Sequence, residues 1–240
     1  MIDMHSHILP GVDDGAEDDA AALQMLALAA EDGIKTQVLT PHIQPGVYDN
    51  TLPFLRDRLA CFEQLVRENG IDIELRLAAE VRIGPEVLQL VQSDAIPWLG
   101  SWEGHRVFLM EFPHNQIPAG SINLVQWLLK QGIIPMIAHP ERNRGLQGDT
   151  TKLKPFLDAG CLVQITSGSL NGQFGAEAHK LAVELLRAGK VTLLATDCHN
   201  PAYRPPDLGA GYKAAAEIVG EPAAGSLVET NPRALLEGLS

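Results

Sequence analysis

Five times along the chain an amphipathic stretch runs into a glycine and then into a short apolar segment. Glu31-Asp32-Gly33 leads into Ile34-Lys35-Thr36-Gln37-Val38-Leu39, Glu68-Asn69-Gly70 into Ile71-Asp72-Ile73-Glu74-Leu75, and Lys130-Gln131-Gly132 into Ile133-Ile134-Pro135-Met136-Ile137. Asp158-Ala159-Gly160 leads into Cys161-Leu162-Val163, and Arg187-Ala188-Gly189 into Lys190-Val191-Thr192-Leu193-Leu194. A glycine just past a helix adopts the left-handed backbone that ends it without a Cβ clash. The run that follows has strand length and is mostly apolar on both faces, the pattern of parallel strands covered by helices.

Extending this reading gives strands at Ile2–His7, Thr36–Thr40, Ile73–Glu80, Arg106–Phe112, Ile134–His139, Leu162–Thr166 and Thr192–Asp197. Apolar spacings of three and four predict helices at Asp18–Glu31, Pro53–Glu68, Ile122–Lys130 and Ala176–Ala188. Two further helices are expected in the tail, at Leu208–Val219 and Pro232–Leu239. Seven strand–helix units predict an α/β fold, a (β/α)7 barrel of parallel strands with outer helices. An open doubly wound sheet is the structural alternative, but it gathers its polar groups at one crevice. With 240 residues and no low-complexity or Pro/Gly-rich divider, residues 1–240 read as one barrel domain.

Here polar groups occur at nearly every strand end. Strand one ends in His5-Ser6-His7, whose imidazoles, two residues apart, face the same side. Later strands run into Thr40-Pro41-His42, Ala79-Glu80-Val81, Met110-Glu111-Phe112, Ala138-His139-Pro140 and Thr196-Asp197-Cys198-His199, and the first loop adds Asp13-Asp14-Gly15. Only the sixth strand lacks such a residue. The C-terminal ends of parallel barrel strands converge on one face, where active sites are built. His5, His7, Asp14, His42, Glu80, Glu111, His139, Asp197 and His199 are therefore the candidate metal ligands. Five imidazoles and four carboxylates exceed the needs of one ion and suit two or three divalent ions sharing a carboxylate. Such clusters lower the pKa of bound water to about 7, supplying hydroxide, and they clamp phosphoryl oxygens. A nitrogen and oxygen set without thiolate suits manganese, iron or zinc, and the carboxylate share favours Mn2+.

Other residues have plainer readings. His105, His114 and His179 fit capping or packing roles, and Asp13 fits a turn or helix cap. An isolated arginine is by default a surface ion pair. Arg142, three residues after His139, and Arg204, in the loop after His199, instead sit at the ligand face, where a guanidinium fork could hold phosphate. The spacing Cys-x5-Arg of cysteine-dependent phosphatases occurs at Cys61–Arg67 and Cys198–Arg204. The first is mid-helix and the second lacks a glycine nest and sits between metal ligands, so neither is expected to act as nucleophile.

Charge and composition narrow the function classes. The formal net charge of −12 disfavours nucleic-acid binding. No apolar run approaches membrane-span length, so no membrane insertion is expected. Three cysteines and an N-terminus without a basic and apolar leader pattern point to the cytoplasm. An amidohydrolase with a modified bridging lysine needs that lysine at a strand's C-terminal end, but Lys35 and Lys190 stand at strand starts. A non-catalytic metal-binding protein would leave the two arginines unexplained.

The segments Met1-Ile2-Asp3-Met4-His5-Ser6-His7 through Asp13-Asp14-Gly15, Thr40-Pro41-His42, Ala79-Glu80-Val81-Arg82-Ile83, Glu111-Phe112-Pro113, Ala138-His139-Pro140-Glu141-Arg142-Asn143, Gly168-Ser169-Leu170 and Thr196-Asp197-Cys198-His199-Asn200 resemble, in unbroken order, the polymerase-and-histidinol-phosphatase (PHP) superfamily. Within it they are most similar to the bacterial tyrosine phosphatases of capsule and exopolysaccharide biosynthesis, of the CpsB/CapC type. That resemblance implies a distorted (β/α)7 barrel with a trinuclear, usually manganese, centre. It implies that His5, His7, Glu80 and Asp197 hold one ion, that Glu80 bridges to a second held also by Glu111 and His139, and that Asp14, His42 and His199 hold the third. Arg142 matches the family's catalytic arginine and Arg204 a second phosphate-facing one. The implied substrate and partner is the tyrosine-phosphorylated tail of a bacterial tyrosine kinase. A small-molecule phosphoesterase such as a histidinol-phosphate phosphatase is the alternative, since fold and metal do not choose the substrate.

Overall fold

Gly33, Gly70, Gly132, Gly160 and Gly189 all carry positive φ, from 63° to 98°, as expected of residues that end helices. The computed structural model describes residues 1–238. Its first half contains β1 (Ile2–Asp3), α1 (Asp19–Glu31), β2 (Thr36–Leu39), β3 (His42–Ile43), α2 (Leu52–Glu68), β4 (Glu74–Leu77), β5 (Glu80–Arg82) and α3 (Glu86–Gln92). There follow β6 (Gly100–Trp102), β7 (His105–Glu111), α4 (Ser121–Lys130), β8 (Ile133–Ala138), α5 (Arg144–Gly148), α6 (Lys154–Ala159), β9 (Leu162–Thr166), α7 (Ser167–Leu170), α8 (Ala176–Arg187) and β10 (Leu193–Ala195). The tail forms α9 (Leu208–Val219), α10 (Glu221–Gly225) and α11 (Asn231–Glu237). The last predicted helix begins one residue earlier than expected, and its expected end, Leu239, lies outside the described residues.

The main helices bury the faces that their periodicity indicated. α1 buries Ala22, Met25, Leu26 and Ala29, and its N-cap Asp18 accepts a 2.9 Å hydrogen bond from Ala21 N. α8 buries Ala178, Leu181, Ala182, Leu185 and Leu186.

The strands close into a ring. β1 pairs with β2, β2 with β4 and β3 with β5, all in parallel. β5 continues through β7, β8 and β9 to β10, again in parallel. The seam between last and first strands is a parallel bridge from Ser6 to Cys198, in which Asp197 N donates to His5 O at 2.8 Å and His7 N to Cys198 O at 2.9 Å. That closure makes the α/β architecture a seven-stranded barrel and sets aside the open sheet. The short β6, which the sequence did not reveal, adds an antiparallel flap to β7.

The distortion is local and follows the chemistry. β2/β3 and β4/β5 are halves of single strands interrupted at Thr40-Pro41 and Ala78-Ala79. Pro41 has no N–H to give the ladder, and Glu80 N shares itself between Thr40 O and Pro41 O at 3.3 and 3.2 Å. Regular strand one ends at Asp3 rather than His7, and strand seven at Ala195 rather than Asp197. Asp3 ties the two together, accepting from Thr196 N (3.0 Å), Thr196 Oγ1 (2.5 Å) and Gln37 Nε2 (2.8 Å). These side-chain bonds replace ladder bonds just below the ligand positions.

The apolar core has two parts. The larger lies between strands and helices and includes Phe108 and Met110 of β7, Val163 and Ile165 of β9, and Cys198. The smaller fills the barrel with Val107, Leu109, Met136, Ala138 and Leu193. Leu99 and Leu235 of α11 belong to this inner cluster, so the tail closes the end of the barrel opposite the site. A Cβ on Gly100 would lie 2.5 Å from Leu235 O, which shows how closely α11 is seated on β6.

Candidate metal centre

His5, His7, Glu80 and Asp197 converge from strands one, three and seven. His5 Nε2 lies 3.2 Å from His7 Nε2, 3.4 Å from Glu80 Oε2 and 3.3 Å from Asp197 Oδ1, and His7 Nε2 lies 3.3 Å from each of the same oxygens. Five of the six edges of this tetrahedron are therefore nearly equal. The centre of such a figure is about 2.0 Å from each corner, the bond length of a zinc-like ion to nitrogen or oxygen.

The protonation pattern explains why the centre attracts a cation. His5 Nδ1 donates to Gln164 Oε1 at 2.9 Å, and His7 Nδ1 to Asp13 Oδ2 at 2.7 Å. Each bond turns an Nε2 lone pair toward the two carboxylate oxygens. Either protons or a cation must sit among four such acceptors. Burial opposes protonation of His5, but the Asp197 and Glu80 charges outweigh it and raise its pKa. At His7 burial is likewise outweighed, chiefly by Asp13. Asp197 Oδ1 and His42 Nδ1 are buried and make no hydrogen bond. This donor set fits a divalent metal.

Two further groups adjoin the first. His42 Nε2 and His199 Nε2 lie 3.4 and 3.6 Å from Asp14 Oδ1, and with His7 they form one cluster of potential ligands. His42 Nδ1 lies 3.2 Å from Glu80 Oε2 and 4.0 Å from Glu111 Oε2, forming another. His42 thus stands between two groups. His139 Nε2 is 2.7 Å from Glu80 Oε1 but belongs to none of the three clusters. Burial and then Arg142 lower the His139 pKa to about 4, which keeps the imidazole neutral. Burial and the Glu80 charge push the Glu111 carboxyl up to about 8, against Arg82, whose guanidinium lies 2.8 Å away.

Local backbone places these groups. His139 and Asp197 have φ of 31° and 51°, a left-handed conformation that costs a non-glycine residue roughly 1–3 kcal/mol and clusters at functional sites. Asp14 is brought in because the first loop folds back on strand one. Ala16 N donates to His7 O at 2.9 Å, and a Cβ on Gly15 would lie 1.9 Å from that oxygen, so only glycine fits.

The two arginines meet at Asp197. Arg142 Nη1 and Arg204 Nη2 both donate to Asp197 Oδ2, the latter at 2.6 Å, while Oδ1 faces the tetrahedron. Arg204 also donates to Asp197 O at 2.8 Å. Phe174 supports both: its ring centroid lies 4.3 Å from Arg142 Cζ and 5.7 Å from Arg204 Cζ. Buried Glu141 anchors the segment carrying Arg142 by accepting from Thr166 N (2.8 Å) and Ser169 Oγ (2.7 Å).

All nine candidate ligands and both arginines lie at one face. Sequence reasoning passed over Gln164, Asp13 and Phe174. Gln164 is the sixth strand's contribution: buried, it orients His5 rather than offering a ligand. Asp13 was readable as a turn residue, and its place beside Asp14 was the available signal. Phe174 had none. The cysteines behave as expected. Cys61 is exposed on α2, and Cys198 is buried on the outer side of the barrel wall, its thiol pushed far up by burial and Asp3.

A closed parallel barrel with histidines and carboxylates at its strand ends defines a metal-dependent hydrolase of the PHP type. Residues 1–237 match the model of the family described as capsular polysaccharide synthesis, CpsB/CapC, and the chain belongs to that family. It is 36% identical over 204 residues to the tyrosine-protein phosphatase YwqE of Bacillus subtilis, covering 85% of this chain and 79% of YwqE. It is 29% identical over 245 residues to the tyrosine-protein phosphatase CpsB of Streptococcus pneumoniae, covering 98% of each. A crystal structure from a study of YwqE and CpsB, described there as unique metal-dependent tyrosine phosphatases, superposes with a TM-score of 0.92 at 33% identity. The match covers 99% of this chain and 95% of that one.

Proposed function

We propose that this protein is a metal-dependent protein-tyrosine phosphatase, with residues 1–240 forming one catalytic barrel domain. The observation that carries this reading is the split role of Asp197. One oxygen completes the His5–His7–Glu80 tetrahedron, and the other receives Arg142 and Arg204. A phosphate clamp and a metal centre thereby share one carboxylate.

His5, His7, Glu80 and Asp197 would hold one ion, Glu80, Glu111 and His139 a second, and Asp14, His42 and His199 a third, with Mn2+ as the expected metal. When bound, such ions acidify a water enough to attack phosphorus and offset charge on the phosphoryl oxygens. The protein's own groups do the positioning. Gln164 and Asp13 fix the ring orientations of His5 and His7. Arg142 and Arg204 retain N–H donors for the non-bridging phosphoryl oxygens, where charge builds as the ester bond breaks. With no side-chain nucleophile among these groups, the phosphoryl group would pass directly to water as its bond to the tyrosine oxygen breaks, releasing tyrosine and inorganic phosphate.

The relatives' names as tyrosine-protein phosphatases support phosphotyrosine in proteins as the substrate. The partner implied by the sequence resemblance is the tail of a bacterial tyrosine kinase of capsule or exopolysaccharide synthesis. No helix among the described residues is long and apolar enough to cross a membrane. Cytoplasmic action on such a tail is the corresponding localisation. The test is hydrolysis of a phosphotyrosine peptide, a phosphoserine peptide and histidinol phosphate, with and without chelator. Loss of phosphotyrosine hydrolysis in chelator, recovery with manganese and full activity of Cys198→Ser are expected. Activity retained in chelator, or a preference for histidinol phosphate, would overturn the reading.

A further inference from the structure

Beside the phosphate clamp lies a separate cavity of about 170 Å³ lined by His114, Arg142, Arg144, Gln147 and Phe174. None of the five is a carboxylate, in a chain with 30 acidic and only 18 basic residues. The charges acting on His114 come from Arg142, Arg144 and Arg82, all positive. Such a concentration of like charge raises the free energy of the empty surface and is relieved by an anion.

The cavity is built rather than incidental. Arg144 N donates to His114 O at 2.9 Å, pinning the loop after β8 to the loop after β7. Asn143 caps α5 through Leu146 N (3.0 Å) and donates to Pro113 O at 2.7 Å, fixing the same junction from inside. Phe174 forms one wall and holds the Arg142 guanidinium against its face. Arg142 therefore serves two spaces, with Asp197 on one side and the His114–Arg144 cavity on the other. Arg144 and His114 are both exposed, so a ligand can reach them from solvent.

We infer that the His114–Arg144 cavity is a subsite for a second anionic group of the substrate chain, a carboxylate or a phosphate next to the phosphotyrosine bound at the metal centre. This inference rests on the phosphotyrosine reading above and adds a specificity determinant to it. A flanking anion would pair with Arg144 and His114 while the phosphotyrosine engages Arg142 and Arg204. The gain would fall mainly on substrate capture and KM, because neither Arg144 nor His114 reaches the reacting phosphorus.

The test compares kcat/KM of the metal-loaded full chain on p-nitrophenyl phosphate and three phosphotyrosine peptides. The peptides carry flanking glutamines, flanking glutamates or a second phosphotyrosine. The parent protein should prefer the anionic peptides over the glutamine peptide by about three- to tenfold, through KM, and the preference should shrink at high salt. Whether glutamate or the second phosphotyrosine gives the larger factor identifies the source of the anion. Arg144→Gln and His114→Gln should bring the ratio toward one with p-nitrophenyl phosphate turnover unchanged, and Arg144→Glu should invert the ratio. A parent that hydrolyses all peptides equally, or an Arg144→Gln variant that slows every substrate alike, overturns the subsite and leaves the phosphatase reading standing. A parent that turns over p-nitrophenyl phosphate but no peptide removes both.

Discussion

The inner and outer corners of the metal centre are built on different terms. His5, His7, Glu80 and Asp197 are buried, and Gln164, Asp13 and the two arginines hold their free atoms in place. The outer corner of Asp14, His42 and His199 leans on a loop. Asp14's side chain is 52% exposed, and its oxygen reaches the two imidazoles at 3.4 and 3.6 Å. His199 is oriented by donating from Nδ1 to Asp197 O at 3.0 Å. Preorganised ligands lose little freedom on binding, whereas a half-exposed loop carboxylate must be ordered as it binds. The inner corner should therefore bind its ion more tightly, and the outer ion should be the first lost on dilution.

The strongest way to break this comparison is to remove the residue both halves of the site share. Asp197→Asn should lose the inner ion and lower kcat/KM on the order of a thousandfold or more, because several kcal/mol of charge stabilisation depend on it. Metal analysis and kinetics on the same sample check this, and normal metal content would contradict it. Arg142→Ala should cost about 10²- to 10³-fold in rate with metal content intact, separating the clamp from the centre. Asp13→Asn leaves every direct ligand in place, yet should weaken the inner ion by about 10- to 100-fold by releasing the His7 ring. Asp14→Asn should instead remove one ion from the stoichiometry and leave inner affinity unchanged. If Asp13→Asn and Asp14→Asn affected the same ion, the two corners would not be separable.

The barrel and its ligand belt were legible in the sequence because both are periodic. Glycine after an amphipathic stretch marks each helix end, and a metal-binding residue at almost every strand end marks the face. The predicted helices Leu208–Val219 and strand Leu162–Thr166 match the observed elements to the residue. Strands one and seven were predicted too long because a hydropathy pattern does not show Asp3 exchanging ladder bonds for side-chain bonds to Thr196. β6 and α3 are short, and β6 owes its existence to antiparallel pairing with β7, which local pattern does not encode. The supporting residues were hidden for a different reason. Gln164 acts on His5 from 159 positions away, and Phe174 meets Arg142 only through the fold. A ligand carries its chemistry in its residue type, whereas an orienting residue acquires it from its neighbours.

The smallest expected effect is a proton count. At the inner corner, Asp197 and Glu80 overcome burial to raise the His5 pKa, and Asp13 does the same for His7. At the outer corner, burial and then the His7 charge lower the His199 pKa. The neighbouring His199 and His42 imidazoles hold the Asp14 carboxyl far below its usual range. His199 and Asp14 are thus already in ligand form. The raised inner imidazoles should make proton release on metal binding larger at the inner corner than at Asp14 and His199. Titrating metal-free protein with manganese in weak buffer reads this directly, and equal proton release per ion would remove the electrostatic distinction between the corners. The same shifts set a sign for stability. Imidazoles whose folded pKa lies above the unfolded value of about 6.5 stabilise the metal-free protein fully below that pH, and the contribution is lost as pH rises through the folded pKa. The metal-free protein should therefore lose thermal stability between mildly acidic and alkaline pH. The loaded protein, in which the ion takes over the protons' role, should gain stability over the same interval as ligand deprotonation strengthens binding.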